Sequence, residues 1–235
     1  MDQIKHRCHL PAIYLLTVAA LITAVLWGSR AVTVLSEQLP IERFHCFVID
    51  AGHGGEDGGA ISCTGAYESA INLDIALRLD DLLHFLGYDT KMIRKADISV
   101  YTKGETLSQK KISDLKERVR IVEETENAIL LSIHQNNFTD SRYSGAQVFH
   151  NGREESIQLA QCLQTGFLET VNQGGHRKIK QASGVYLMDH IRCPGVLIEC
   201  GFLSNPGEEA KLRAADYQKQ LACVIACAAV SYANT

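Results

Sequence analysis

The chain is short of the features that mark several common protein classes. Only four prolines occur in 235 residues, so long extended or disordered tracts are not expected. Charge of one sign is also lacking. The formal net charge is −4, which gives no sign of the strongly basic face that nucleic-acid binding requires, and no nucleic-acid partner is expected. There is no C-x-x-C pair for a zinc knuckle or a dithiol redox site. No H-E-x-x-H run is present, which excludes a zincin-type peptidase. The one glycine-rich turn fails the dinucleotide pattern, because the third glycine position counted from Gly52 and Gly54 holds Asp57. Internal repeats and low-complexity segments are absent as well.

One long apolar run stands apart at the N-terminus. Leu10 to Trp27 is interrupted only weakly, by Thr17 and Thr23, and Lys5 and Arg7 precede it. Such a run is a secretory signal or a signal anchor with its basic flank in the cytoplasm. Ser29-Arg30-Ala31 is a poor cleavage site, which favours the uncleaved anchor over the signal; a buried N-terminal helix is the remaining alternative. Either export reading places the rest of the chain on the outer side of the cytoplasmic membrane. The expected organisation is a signal or membrane anchor over 1–29, a linker over 30–43 and a folded domain over 44–235.

Eight cysteines in an exported chain raise the question of disulfides. Cys8 precedes the apolar run, which leaves an odd number beyond it. Cys46, Cys162, Cys200, Cys223 and Cys227 lie in apolar stretches and read as small core residues. Cys63, in a glycine-rich loop, reads as the most exposed.

Beyond residue 44, strand-like and helix-like segments alternate. Strands are expected over 44–50, 88–93, 128–133, 146–149, 185–188 and 196–198. Helices are expected over 69–86, 107–124 and 154–171, with apolar stripes at helical spacing such as Ile112, Leu115, Val119 and Val122. Gly87 is a C-cap candidate for the first of them. A last helix starts at the N-cap Asn205 with Pro206 at its first position and carries Tyr217, Leu221, Val224 and Ala228 on its apolar face. This alternation predicts a single α/β domain with a twisted, mixed, largely parallel sheet flanked by helices on both faces.

Three of the strand-like runs end in residues that carry chemistry. Val48-Ile49-Asp50-Ala51 runs into Gly52-His53-Gly54-Gly55, Leu130-Leu131-Ser132-Ile133 ends on His134, and Val196-Leu197-Ile198 ends on Glu199. Strand ends are where sites collect in α/β folds. With Glu68 at a helix start, His53 and His134 supply two imidazoles and a carboxylate, a donor set used by catalytic zinc with a fourth position left open. Glu199 is then the candidate general base, taking a proton from the attacking water and passing it to the leaving nitrogen. Each residue also has a plain structural reading: His53 as a turn residue, Glu68 as a carboxylate favoured by a helix N-terminus, His134 as a satisfied core histidine. Glu199 is the hardest to dismiss, because a carboxylate after three apolar residues is costly to bury unpaired. Asp50 and Asn136 are candidates for orienting the histidines. His176, Arg177, Lys178 and Lys180 form a basic loop that either lines a substrate groove or is simply solvated.

The runs Val48 to Gly55 with Asp57, Ser132-Ile133-His134 with Asn136, and Leu197 to Asn205 resemble the zinc-dependent N-acetylmuramoyl-L-alanine amidases in three separate motifs in the same order. The resemblance covers about residues 44–232. It implies one Zn2+ per chain held by His53, Glu68 and His134, with Glu199 as the catalytic carboxylate. It implies peptidoglycan as the partner and, as the reaction, hydrolysis of the amide between the lactyl group of N-acetylmuramic acid and the L-alanine of the stem peptide. Two departures stand out. The family's usual Asp-Pro-Gly-Ala is Asp57-Gly58-Gly59-Ala60, and Val122-Glu123 replaces a frequent Ala-Asn, while Arg118 matches. An apolar N-terminal segment followed directly by the amidase domain is most similar to the germination-specific spore-cortex members of the family. That likeness implies a role in muramic lactam formation, action in the space between forespore and mother cell membranes, and room for an accessory protein. The competing readings are a zinc carboxypeptidase acting on the stem peptide, a non-catalytic wall-binding module, and a cysteine hydrolase using Cys200 or Cys193.

Overall fold

The computed structural model describes residues 45–235. The Leu10–Trp27 run, the 1–29 and 30–43 segments and Cys8 lie outside them. Among the described residues no helix is long and apolar enough to cross a membrane.

The elements run β1 (Cys46–Ala51), α1 (Glu68–Phe85), β2 (Asp89–Met92), α2 (Leu107–Glu123), β3 (Ala128–Asn136), β4 (Gln147–His150), α3 (Glu154–Glu169), β5 (Lys180–Gln181), α4 (Tyr186–His190), β6 (Gly195–Phe202), α5 (Pro206–Leu212) and α6 (Ala215–Ala233). The six strands form one sheet in the order β2-β1-β3-β6-β4-β5. β1 pairs parallel with β2 and β3, and β3 pairs parallel with β6. β4 runs antiparallel to β6, so the sheet is mixed and largely parallel, as the sequence predicts.

The period-2 alternation of strands divides the core. Phe47, Ile49, Ile129, Leu131, Ile133, Val196, Ile198 and Cys200 point into the larger apolar cluster, with Ile75 and Leu79 of α1, Leu163 of α3 and Leu221 of α6. Val48, Leu130 and Leu197 point to the opposite face, into a smaller cluster with Val122 of α2 and Leu187 and Met188 of α4. Asp50, Ser132, His134 and Glu199 share the second face by the same alternation. The sheet thus devotes one face chiefly to apolar burial and the upper part of the other to polar chemistry.

Helix ends follow their local sequence. At the end of α1, Gly87 has φ 77° and the bonds Tyr88 N to Leu83 O (2.9 Å) and Gly87 N to His84 O (2.8 Å) close a Schellman motif. Thr106 and Gln109 form a capping box at α2. The Asn205 side chain accepts from Gly207 N and Glu208 N, with Pro206 in the first turn of α5.

Four expectations are corrected. Residues 186–190 form the helix α4, not a strand; Leu187, Met188 and Ile191 are all buried, a one-and-four spacing that fits a helical turn under the sheet. The last helix is two helices. It breaks at Arg213–Ala214, where the buried Gln218 side chain donates to Leu212 O (2.9 Å) and satisfies the carbonyl that the break frees. Ile112 is 51% exposed, and the inward face of α2 carries Ser113, Arg118 and Val122 instead. Of the cysteines taken as core residues, Cys200 is buried, Cys46 and Cys162 are half-buried, and Cys223 and Cys227 are exposed on α6; all described cysteines are free.

Candidate active site

The glycine turn after β1 is the first element of the site. His53 adopts φ 62°, a left-handed conformation uncommon for a residue with a side chain, and Gly54 and Gly55 follow at positive φ. Two buried arginines hold this turn. Arg118 of α2 donates to the carbonyls of Ala51 (3.1 Å) and His53 (2.7 Å), and Arg94, just after β2, donates to those of Ala51 (2.8 Å) and Gly52 (3.0 Å). Arg118 is itself fixed by Asp50 and Asp114 (2.6 Å), and Asp50 also accepts from Ser132 Oγ (2.6 Å). Burial pushes the Asp50 carboxyl up, but Arg118, His134 and the Ser132 hydroxyl together outweigh it and hold the group below the usual carboxylate range.

Asp50 therefore hydrogen-bonds Arg118 rather than an imidazole, and Asn136, paired in β3, accepts from Leu203 N (2.8 Å) through its backbone carbonyl. Orientation of the imidazoles comes from elsewhere. Arg118→Ala would leave Asp50 buried without its partner, which costs about 3–5 kcal/mol. The expected result is a markedly lower urea midpoint, with Arg118→Lys recovering part of it; an unchanged midpoint would show that the pair carries no stability. Since Asp50 is depressed in the fold, its contribution is present above about pH 4 and is lost as pH falls through the folded value.

His53, Glu68 and His134 converge at the C-terminal ends of β1 and β3, with one potential ligand atom from each lying within 4.8 Å of the others. His53 Nε2 is 3.3 Å from Glu68 Oε2, and His134 Nδ1 is 3.0 Å from Glu68 Oε1. On the far side of its ring, His53 Nδ1 meets Asp57 Oδ2 at 3.1 Å, and Asp57 is held by Lys111 (3.1 Å). Glu68 is buried and further fixed by Ala60 N (3.0 Å), Gln135 N (3.1 Å) and Asn72 Nδ2 (3.1 Å). Burial raises its carboxyl, but the two imidazoles outweigh burial and hold it well below the ordinary range.

Glu199 stands beside this cluster. In the parallel register of β3 and β6 it is the partner of His134, and the register shifts between His134 and Asn136. Its Oε2 is buried and has no hydrogen-bond partner. Burial, reinforced by the charge of Glu68 against the relief from His134, pushes the Glu199 carboxyl up to about 7. A cavity of about 180 Å3 adjoins the imidazoles, lined by His53, His134, Lys111, Arg118 and Leu197 among others.

All four residues singled out from the sequence thus meet at one sheet edge. Asp57, Asn72, Arg94 and Gln135 escape that reading as working parts of the site. Asn72 lies one helical turn after Glu68, a spacing that could have flagged it; Arg94 carries no comparable signal. Gly52 has a steric reason to be glycine: a Cβ there would lie 2.2 Å from the His134 ring. Gly52→Ala is expected to displace that ring and lower kcat by about 10²-fold or more, since a misplacement near 1 Å can cost that much. Metal content and kcat measured together on the variant check this, and wild-type values for both would refute the packing argument.

An α/β sheet that brings two imidazoles, a buried carboxylate and a separate elevated acid to one edge has the layout of a hydrolase. The chain belongs to the N-acetylmuramoyl-L-alanine amidase family, whose model matches residues 47–230. It is a peptidoglycan hydrolase that cleaves the amide between the lactyl group of N-acetylmuramic acid and the L-alanine of the stem peptide. The chain is 36% identical over 179 residues to the germination-specific N-acetylmuramoyl-L-alanine amidase of Bacillus subtilis (strain 168), covering 75% of each. It is similar to the CwlD amidase from Clostridioides difficile, solved in complex with the GerS lipoprotein, with a TM-score of 0.77 and 35% identity over 80% of this chain and 97% of that one. The catalytic domain of CwlV from Bacillus (Paenibacillus) polymyxa var. colistinus is also similar, with a TM-score of 0.68 and 29% identity over 81% and 98%.

Proposed function

We propose that His53, Glu68 and His134 hold one zinc ion and that Glu199 is the catalytic carboxylate of the amidase reaction. The observation that carries this reading is the convergence of the three donors within 4.8 Å beside a buried acid. Two imidazoles and one carboxylate match a catalytic zinc set with an open fourth position. The pairing of His53 Nδ1 with Asp57 fits as well, because a ligating imidazole commonly gives its second nitrogen to a carboxylate. When bound, the ion supplies Lewis-acid polarisation of the scissile carbonyl and lowers the pKa of water to ~7. Glu199 receives the proton of the attacking water at Oε2 and returns it to the leaving nitrogen of L-alanine. Arg94 and Arg118 keep the His53 turn rigid through these steps.

The likeness to the germination-specific amidase supports spore cortex peptidoglycan as the substrate and muramic lactam formation as the purpose. The complex in which the CwlD relative was solved supports an accessory protein as a partner here too. A cell-wall substrate supports action outside the cytoplasm, with residues 1–29 as signal or membrane anchor, 30–43 as linker and 44–235 as the catalytic domain. Mass spectrometry of digested cortex peptidoglycan tests the reaction. Release of intact stem peptides beginning with L-alanine is the expected product, whereas release of D-alanine would instead support the carboxypeptidase alternative.

A further inference from the structure

We propose that Phe138 and Tyr143, clamped by Arg177, form a sugar-stacking subsite that holds the glycan strand beside the scissile amide. The inference rests on the catalytic edge proposed above and adds where the carbohydrate half of the substrate lies. Phe138 is 50% exposed and Tyr143 46%, and their rings meet edge to face at 4.9 Å. Other apolar residues are exposed too, Phe85 beside Leu86 and Ile61 bridged to Tyr67 among them, and exposure by itself needs no explanation. This pair differs because it is a ring cluster on a loop, the setting in which binding residues concentrate.

The loop rises directly from the catalytic edge. It leaves β3 after Asn136, two residues past His134, and returns into β4 at Gln147, and both His134 and Gln147 are register partners of Glu199 on β6. The loop therefore arches over the end of the strand that carries Glu199. Its conformation is built in. Phe138 N donates to Ser204 Oγ (3.1 Å), Asn205 Nδ2 to Tyr143 O (3.3 Å), and Gly145 N to Glu208 Oε1 (2.7 Å). Arg177 crosses from the segment between α3 and β5. Its guanidinium lies 4.4 Å over the buried Phe202 ring and 5.9 Å from that of Tyr143, while Nε donates to Ser144 O (2.6 Å) and Nη1 to Gln147 Oε1 (3.0 Å). These contacts make the half-buried guanidinium a fixed part of the fold.

A pyranose ring presents one face of C–H groups and a rim of hydroxyls, which suits an aromatic surface with one apolar side and one wet side. The reaction places such a ring next to the bond that breaks, because the scissile amide hangs from the lactyl group of a sugar. A rigid aromatic pair binds at low entropic cost, and energy gained on this remote part of the substrate is available at the reacting centre.

The test uses the full chain and a peptide-free tetrasaccharide of alternating N-acetylglucosamine and N-acetylmuramic acid, titrated by calorimetry. The double substitution Phe138→Ala, Tyr143→Ala is expected to weaken binding about tenfold. It is also expected to lower kcat/KM more on a muramoyl peptide than on an N-lactyl peptide of the same sequence that lacks the sugar. Tyr143→Phe, which keeps the ring, is expected to bind as the wild type does. If the double variant fails to fold, Phe138→Ala alone carries the same comparison. Absent binding by the wild type, or binding within about twofold in a double variant of unchanged melting temperature, would overturn the proposal, as would an equal loss on both substrates. Failure of the wild type to cleave either substrate would instead count against the catalytic assignment, leaving the binding measurement to stand by itself.

Discussion

Glu199→Gln is expected to keep the fold and the metal while lowering kcat by about 10²–10⁴-fold, the range associated with a general acid–base group. The substitution preserves shape and removes only the titrating oxygen. Among the described residues Glu199 belongs to no ion pair, and its Oε2 has no partner that the change would strand. Its elevation to about 7 poises the group to accept and return a proton near neutrality. A cation seated between the imidazoles pulls the carboxyl downward, so the acidic limb of the wild-type rate profile should lie at or below about pH 7, and the variant should lose that limb. Stability gives an independent readout on metal-free protein. The folded value lies above the unfolded one, so the fold binds the extra proton between about pH 4.5 and 7, and stability falls as pH rises through that window. Glutamine cannot ionise, so the chelated variant should melt above the chelated wild type at about pH 8, with the gap closing toward about pH 5. Unimpaired turnover in the variant would remove Glu199 from the mechanism.

This residue also shows what the sequence makes legible. A carboxylate placed directly after Val196-Leu197-Ile198 conflicts with its local pattern, and such conflicts mark functional positions. His53 and His134 announce themselves in the same way, each closing an apolar run. Gly87 and Asn205-Pro206 are as readable, because a C-cap and an N-cap are decided within a few residues. What escapes is decided over long range. Arg94 looks like a surface residue, and Arg118 matches the family without its task being legible, until the fold turns both onto the carbonyls of a glycine turn 42 and 65 residues away. The break after α5 has no proline or glycine to signal it, and the Leu212 carbonyl it frees is satisfied by Gln218, a contact visible only in the fold. Cys223 and Cys227 sit in an apolar helix whose buried side is set by α1 and α3, and the rotation of that helix leaves both thiols outside.

Metal removal should separate the two kinds of ligand residue. An ion that binds only the folded state stabilises it by about 4 kcal/mol when present at a thousand times its dissociation constant. For a domain of this size that corresponds to roughly 8–16 °C in Tm, which chelation should abolish. His134→Ala removes a ligand and little of the surrounding hydrogen-bond network, so it should melt close to the chelated wild type and no longer respond to zinc. Glu68→Ala should fall further. Glu68 is buried and accepts from the backbone nitrogens of Ala60 and Gln135 and from Asn72, and truncation strands these donors at about 1–3 kcal/mol for each one left buried and unpaired. The expected order of melting is therefore zinc-loaded wild type, then chelated wild type with His134→Ala, then Glu68→Ala. Differential scanning calorimetry with and without chelator reads all of these states. A wild type whose melt ignores the chelator would refute a preformed site. If instead Glu68→Ala melted with His134→Ala, the carboxylate would be a ligand with no role as the keystone between the glycine loop, α1 and β3.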